Sequence, residues 1–442
     1  MSVVGSNVTD MNDRWTTDHV LSLSPDAPSA KAAAKLAKAE PWSDTGASAA
    51  AVWGACKGSG SRPYQTVVAL DGPAYHCSCP SRKFPCKHAL ALLLLWSGDA
   101  LSDAEASEWA ASWLTSRQQR AERATERATA SAPKDDTAAV ARRAGREARV
   151  AVGTAELQAR LTDQLGTGLA EAPGQGYRFW EGVAARMVDA QAPGLATRAR
   201  ELGALPASGP DWPSRLLEEY GLLHLLASGY QRVGELPEPL AATVRSRVGF
   251  TVDSAEVLRG PLVRDRWLVL GSRDSADERL TTRRLWLRGE ESGHTALLLS
   301  FGRPGVAPEL ALPTGLALDA ELAFHPAARP LRAALGARHA APAAAPRPSG
   351  VTVDAALDTY AAALGDDPWL TCWPVVVSDV VPVPTETGWS LVDGTGAIPL
   401  RSGSLWRLVA ASQGRPVTLF GECGCRGFDA VTAWTDEGSL LL

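Results

Sequence analysis

The chain has 442 residues, 45% of them hydrophobic, which suffices for about two to four globular domains with their own cores. A formal net charge of −5 excludes a bulk polyanion binder, so any nucleic-acid contact must come from a local basic patch. Seven cysteines, an odd count, argue against a disulfide scaffold and fit a reducing compartment, so a cytoplasmic location is expected.

In chain order, residues 1–49 read as an N-terminal segment. Its start has no basic region followed by an apolar core, so it is not expected to be a signal peptide. The Ala/Lys-rich stretch from Ser29 to Glu40 predicts a short helix, with Ser29 as its N-cap and Pro41 just beyond its end. Residues 50–100 carry the most specific signal. Tyr64, Thr66, Val68 and Leu70 alternate as in a strand, and Asp71-Gly72-Pro73 turns the chain. Cys77, Cys79, Cys86 and His88 then follow with C-x-C-x6-C-x-H spacing. Three thiols and one imidazole at this density make a closed tetrahedral Zn²⁺ site. The run ALALLLLW after His88 is apolar all round, so its helix must be buried on every side and dock into neighbouring structure. Trp42 and Trp53 are expected to pack against this small unit, which cannot bury much surface alone.

These residues resemble the SWIM zinc finger, in which C-x-C, a variable gap and C-x-H at a helix start follow an approach strand. The stretch Trp53 to Gly60 is similar to one found ahead of the finger in a bacterial branch. The resemblance covers roughly residues 50–97 and implies zinc ligands at Cys77, Cys79, Cys86 and His88. It also implies a DNA-binding or protein-binding role rather than catalysis. The partner would belong to a multi-component system, with an AAA-type ATPase or a helicase. Beside the ligands, Lys57, Arg62, Arg82, Lys83 and Lys87 face only Asp71 in opposition. Arg82, Lys83, Phe84 and Lys87 are therefore candidates for contact with nucleic-acid phosphates or a protein partner, although cations beside a Cys₃His zinc site also offset its net negative charge.

Residues 101–245 predict a helical region with a charged linker. Ser102 and Glu105 have capping-box spacing, and Trp109 and Trp113 form a stripe. From Arg117 to Arg160 ten basic residues oppose six acidic ones, which reads as a solvated helix with a hinge at Pro133-Lys134-Asp135-Asp136. Phe179, Trp180, Val183 and Met187 fall at helical spacing, as do Leu216, Leu217, Tyr220, Leu223 and Leu226. Residues 246–325 predict an antiparallel meander of at least three strands, and residues 326–350 an Ala/Pro-rich linker. Residues 351–442 predict a helix from Val353 to Leu364 and a small barrel or sandwich. Its expected strands are VVVSDVVPV, GWSLVDG, LWRLVAA and PVTLFGE. The expected fold class is thus α+β and multi-domain: a small zinc-bound ββα finger, a helical middle and antiparallel β-rich C-terminal modules.

Little else carries chemistry. Cys423 and Cys425 form half a metal site within a glycine-rich turn. G-x-S-x-G, Walker A and H-E-x-x-H motifs are absent, and the remaining histidines are scattered singly. No apolar run is long enough for a membrane span. A non-enzymatic zinc adaptor is expected; the alternative is an enzyme whose active site lies in the β-rich C-terminal half.

Overall fold

The computed structural model describes residues 15–442 except 16, 25–26, 59, 61, 71–73, 82–84, 130–135, 277–279, 304–307, 309, 311, 341, 387, 402–404 and 437. Near the N-terminus, α1 (Thr17–Ser22) and α2 (Ala27–Leu36) precede an antiparallel meander of four strands. These are β1 (Trp42–Ala47), β2 (Ala51–Cys56), β3 (Tyr64–Ala69) and β4 (Ala74–Cys77), hydrogen-bonded in that order. Helix α3 (Lys87–Ser97) lies on one face with α1 and α2, around Val52, Val68, Tyr75, Leu90 and Leu93. On the other face, Trp53 and Val67 pack against Trp109 and Trp113 of α4 (Glu108–Thr129). Strand β2 is therefore buried along its whole length. Gly46 is required beside it, because a Cβ there would lie 2.4 Å from the Trp53 ring.

The finger is larger than its motif. The segment expected to precede it contributes β1, α1 and α2, and Ser29 is buried within α2 rather than capping it. The Ser102–Glu105 capping box also does not form, since α4 begins at Glu108. Backbone groups of that stretch bond instead to the edge of β1: Ala47 donates to Ser102 at 3.0 Å, and Ala104 donates to Ala47 at 3.1 Å. Of the expected hinge at residues 133–136, residues 133–135 lie outside the described residues and Asp136 begins the next helix.

Helices α5 (Asp136–Thr167), α6 (Ala172–Asp189), α7 (Pro193–Leu202), α8 (Trp212–Gln231) and α9 (Glu238–Val248) form a bundle. The predicted stripes meet in its core, with Trp180, Val183 and Met187 of α6 near Leu216, Tyr220 and Leu223 of α8. Leu217, one position off the stripe, is 52% exposed. Trp369 enters from far along the chain, and its indole N–H donates to the Leu222 carbonyl at 2.8 Å.

Beyond α10 (Ser254–Val257), the next sheet comprises β5 (Val263–Ala276), β6 (Thr281–Gly289), β7 (Thr295–Gly302), β8 (Leu316–Phe324), β9 (Ala333–Arg338) and β10 (Ala343–Ala344). β5 pairs antiparallel with both β6 and β8, β6 with β7, and β8 with β9. A parallel bridge between Leu297 and Arg332 brings β7 against the start of β9 and closes the sheet around Trp267, Leu285, Leu287 and Leu318. Residues 326–350, expected as a linker, thus carry β9 and β10. Their Ala-rich sequence has little intrinsic strand preference; pairing with β8 and burial of Ala333 and Ala334 impose the strand.

The last module repeats this connectivity. After α11 (Val353–Asp366) come β11 (Cys372–Thr385), β12 (Gly388–Val392), β13 (Ala397–Pro399), α12 (Leu405–Ser412), β14 (Val417–Gly424), β15 (Gly427–Thr435) and β16 (Gly438–Leu441). β11 pairs with β14 over its first half and β12 over its second, bending at a bulge where Asp379 has φ of 56°. A parallel bridge from Leu400 to Phe428 brings the end of β13 to β15. In both modules the first strand pairs with the second and fourth, and the third closes in parallel on the fifth. That is the connectivity of a five-stranded Greek-key barrel of the oligonucleotide/oligosaccharide-binding type. LWRLVAA is the helix α12, not a strand: Leu408 and Ser412, one turn apart, are buried, and Gly414 with φ of 73° ends it. The barrels meet through Leu268, Leu270 and Trp286 of one and Val376, Phe420 and Trp434 of the other. The fold is α+β and multi-domain.

Candidate metal centre

Each ligand position follows from local structure. Cys77 ends β4, and Cys79 follows it after one residue of extended chain. Cys86 is the N-cap of α3 and His88 its second residue, so the apolar burial of α3 fixes both. The donor atoms of Cys77, Cys79, Cys86 and His88 all lie within 4.8 Å of one another. With Zn–S near 2.3 Å, sulfurs on a tetrahedron sit about 3.8 Å apart, so the cluster needs only slight contraction around an ion. The Cys77 sulfur is 3.8 Å from His88 Nδ1 and 3.2 Å from the Thr66 hydroxyl. Thr66 is fully buried on β3 and orients that thiol from behind, as outer hydrogen bonds do in metal sites. The Tyr64 ring lies 5.0 Å from the His88 ring and limits its rotation.

The electrostatics call for a cation. Hydrogen bonds from Cys77 and Cys86 hold Cys79 well below the ordinary thiol range. Its hydrogen bond with Cys79 pushes Cys77 up to about 11, and bonds with Cys77 and Cys79 raise Cys86. A divalent ion held by Cys77, Cys79, Cys86 and His88 would displace protons from the sulfurs and stabilise all three as thiolates. The N-terminal end of α3, with its positive dipole, favours the resulting negative charge at Cys86. Cys86 and His88 are buried and Cys77 and Cys79 half-buried, so the shell is screened from solvent on the helix side.

A family model for the SWIM zinc finger matches residues 67–96, from within β3 through β4 and nearly all of α3, with all four donors. The chain carries a SWIM zinc finger. A second model, the SWIM-associated four-helix bundle domain, matches residues 145–248, from within α5 to the end of α9. Together they span under a third of the chain. No curated protein and no solved structure matches it. Zinc is the metal that the SWIM donor set fits.

Among the described residues, the other predicted positions are not drawn into the SWIM centre. Arg82, Lys83 and Phe84 lie outside the described residues. Lys87 is exposed at the first position of α3, between the two C-terminal ligands. Cys56 is buried at the end of β2, where burial raises its thiol, and it stands apart from the four donors. The second C-x-C does not form a joint site. Cys423 is buried in the second barrel, which pushes it up to about 11, whereas Cys425 is exposed on the turn between β14 and β15. Gly427 closes that turn with φ of 114°, and a Cβ there would lie 2.2 Å from the Pro399 carbonyl oxygen. Cys372 donates instead to Glu422, at 3.3 Å. Thr66 is the centre residue that sequence reading missed; its place in the alternating approach strand, facing Cys77 in register, was the available signal.

Proposed function

We propose that the chain is a zinc-organised adaptor, not an enzyme, whose finger holds a surface for a protein or nucleic-acid partner. The observation that carries this reading is the convergence of four protein donors at the foot of a buried helix. Three thiolates and an imidazole fill a tetrahedral shell, leaving no coordination position for a substrate or an activated water. The zinc would therefore act by fixing α3 and β4, and function would reside in the surface they support. Seven cysteines, none in a disulfide, fit a reducing, cytoplasmic compartment. Among the described residues no helix is long and apolar enough to cross a membrane. The resemblance of the Trp53–Gly60 stretch to a bacterial branch supports a place in a multi-component system, with an AAA-type ATPase or helicase as partner.

The finger's basic residues set the test. Arg82→Ala with Lys83→Ala should weaken binding of labelled DNA or RNA across sequences alike. For every phosphate that loses its cation, the log–log salt dependence should flatten by about 0.7 to 0.9. Zinc content should not change, because neither residue is a ligand. A chain that shows no salt-sensitive binding to any single- or double-stranded nucleic acid would leave a protein as the finger's partner.

A further inference from the structure

Between the helical bundle and the first barrel lies a cleft of about 1200 Å³, none of whose lining comes from the finger. Three walls form it: α5 near residues 142–149, α9 with the segment to Val252, and the 325–332 connection between β8 and β9. Eight arginines and three carboxylates line it, a formal balance of +5 inside a molecule whose net charge is −5. Such concentration is not the average of the surface. A cleft of one sign with low-dielectric walls focuses its potential and attracts counter-charged ligands.

Some of these arginines have structural work. Arg247 pairs with buried Asp367 at 2.5 Å, Arg329 with Asp366 at 2.6 Å, and Arg143 with Glu147 at 3.2 Å. Arg146 donates to the Gly249 carbonyl at 2.9 Å and covers the Phe250 ring at 4.1 Å. Arg142 and Arg332 differ: both are exposed on the cleft, and neither has an ion pair or side-chain hydrogen bond among the described residues. At the base, His325 has a ring nitrogen, Nε2, that is buried without a hydrogen-bond partner among the described residues. Burial first, and then the charge of Arg332, hold that imidazole below its usual range, as expected in a positive field.

Two independent features narrow the ligand. Arg142, Arg146 and Arg149 recur at i, i+4 and i+7, so they line one face of α5 over about 10 Å. A row of charges matches a polymer with spaced anions better than one compact phosphate. The second feature is topological. The 325–332 connection joins the fourth and fifth strands of a five-stranded Greek-key barrel, and Leu297, also in the cleft, lies on the third. The second-to-third strand face and the fourth-to-fifth loop are where this barrel type binds oligonucleotides and oligosaccharides; of the two, the positive balance of the cleft favours the anionic polymer. Trp286 on the second strand is covered by the other barrel, which leaves the third strand and that loop to face the cleft.

We propose that this cleft binds the sugar-phosphate backbone of a single-stranded nucleic acid, with Arg142 and Arg332 contacting phosphates directly. The proposal rests on the adaptor reading for its partner class and adds a second binding surface to that of the finger. Aromatic stacking is not its basis, because Phe250 is already covered by Arg146; recognition would be electrostatic and tolerant of sequence.

The test measures anisotropy of a labelled 20-nucleotide mixed-sequence DNA, and of the same sequence as RNA, with the full chain over a range of salt. Arg142→Ala with Arg332→Ala leaves two phosphates without their cations. It should lower the salt slope by about 1.4 and weaken binding by roughly twentyfold at 0.1 M salt. Arg142→Lys with Arg332→Lys should restore most of the affinity, because each keeps a point charge. Thermal melting of both variants checks that the fold is intact. Wild-type affinity and slope in the alanine variant would overturn the proposal; the Arg82→Ala, Lys83→Ala chain, run beside it, judges the finger separately. Tighter binding of a duplex of equal length, or displacement of the oligonucleotide by poly-glutamate at lower concentration than by unlabelled strand, would also overturn it. The last result would assign the cleft to an acidic protein segment.

Discussion

Removal of zinc by a strong chelator is expected to unfold the finger while the rest of the chain stays folded. Binding to a small site of this kind is folding free energy, of the order of 10–16 kcal/mol in zinc-finger peptides at neutral pH. Without the ion, Cys77, Cys79 and Cys86 cannot share a centre as thiolates, and β4 meets α3 only through apolar packing such as that of Tyr75 against Leu90 and Leu93. The apolar face formed by Leu90, Leu92, Leu93 and Trp96 would then lose its fixed position. Hydrogen exchange should show loss of amide protection across β1–β4 and α3, residues 42–97. It should spread to Trp109 and Trp113 of α4, which pack on the same sheet. Residues 145–248 have a separate core around Trp180 and Tyr220 and should remain protected. Unchanged protection of residues 86–97 after complete loss of zinc would show that the metal does not hold the finger together.

The second large effect is expected where the two barrels meet. Trp286 is fully buried, and its ring meets Phe420 of the other barrel edge-on at 5.7 Å between centroids, with Arg284 over its face at 5.0 Å. Trp286→Ala should cost about 3–5 kcal/mol, the usual range for deleting a buried aromatic. Trp286→Phe, which keeps the edge-to-face packing, should cost considerably less. Urea unfolding followed at barrel residues would measure both. A destabilisation under about 1 kcal/mol in the alanine variant would mean that the barrels are held together elsewhere. The ion pairs Arg273–Asp429 at 2.7 Å and Arg284–Glu422 at 2.8 Å, which also join the barrels, would be the next to examine.

The metal centre was legible in the sequence because its ligands are local. All four fall within twelve residues, and the helix they start is apolar on every side. The stripes of α6 and α8 were legible for the same reason, since helical packing is written at i+3 and i+4. Features set by tertiary pairing were not. β9 arises in an Ala-rich stretch that only β8 makes into a strand, and α12 was masked by β-branched and aromatic residues shared with strands. The shared connectivity of the barrels depends on parallel bridges, Leu297–Arg332 and Leu400–Phe428, between residues with no common sequence signal. The arginine cleft is similar. Its α5 arginines belong to a basic stretch that reads as a solvated helix. Their counterparts on α9 and after β8 lie about a hundred or more residues further along.

A structural role for the metal requires a closed zinc shell, and X-ray absorption at the zinc edge reads that shell directly. The expected spectrum fits three sulfurs near 2.3 Å and one imidazole nitrogen near 2.0–2.1 Å, with one zinc per chain. A fit that needs a water oxygen, or fewer than three sulfurs, would mean an open coordination position and would contradict a purely structural role for the metal.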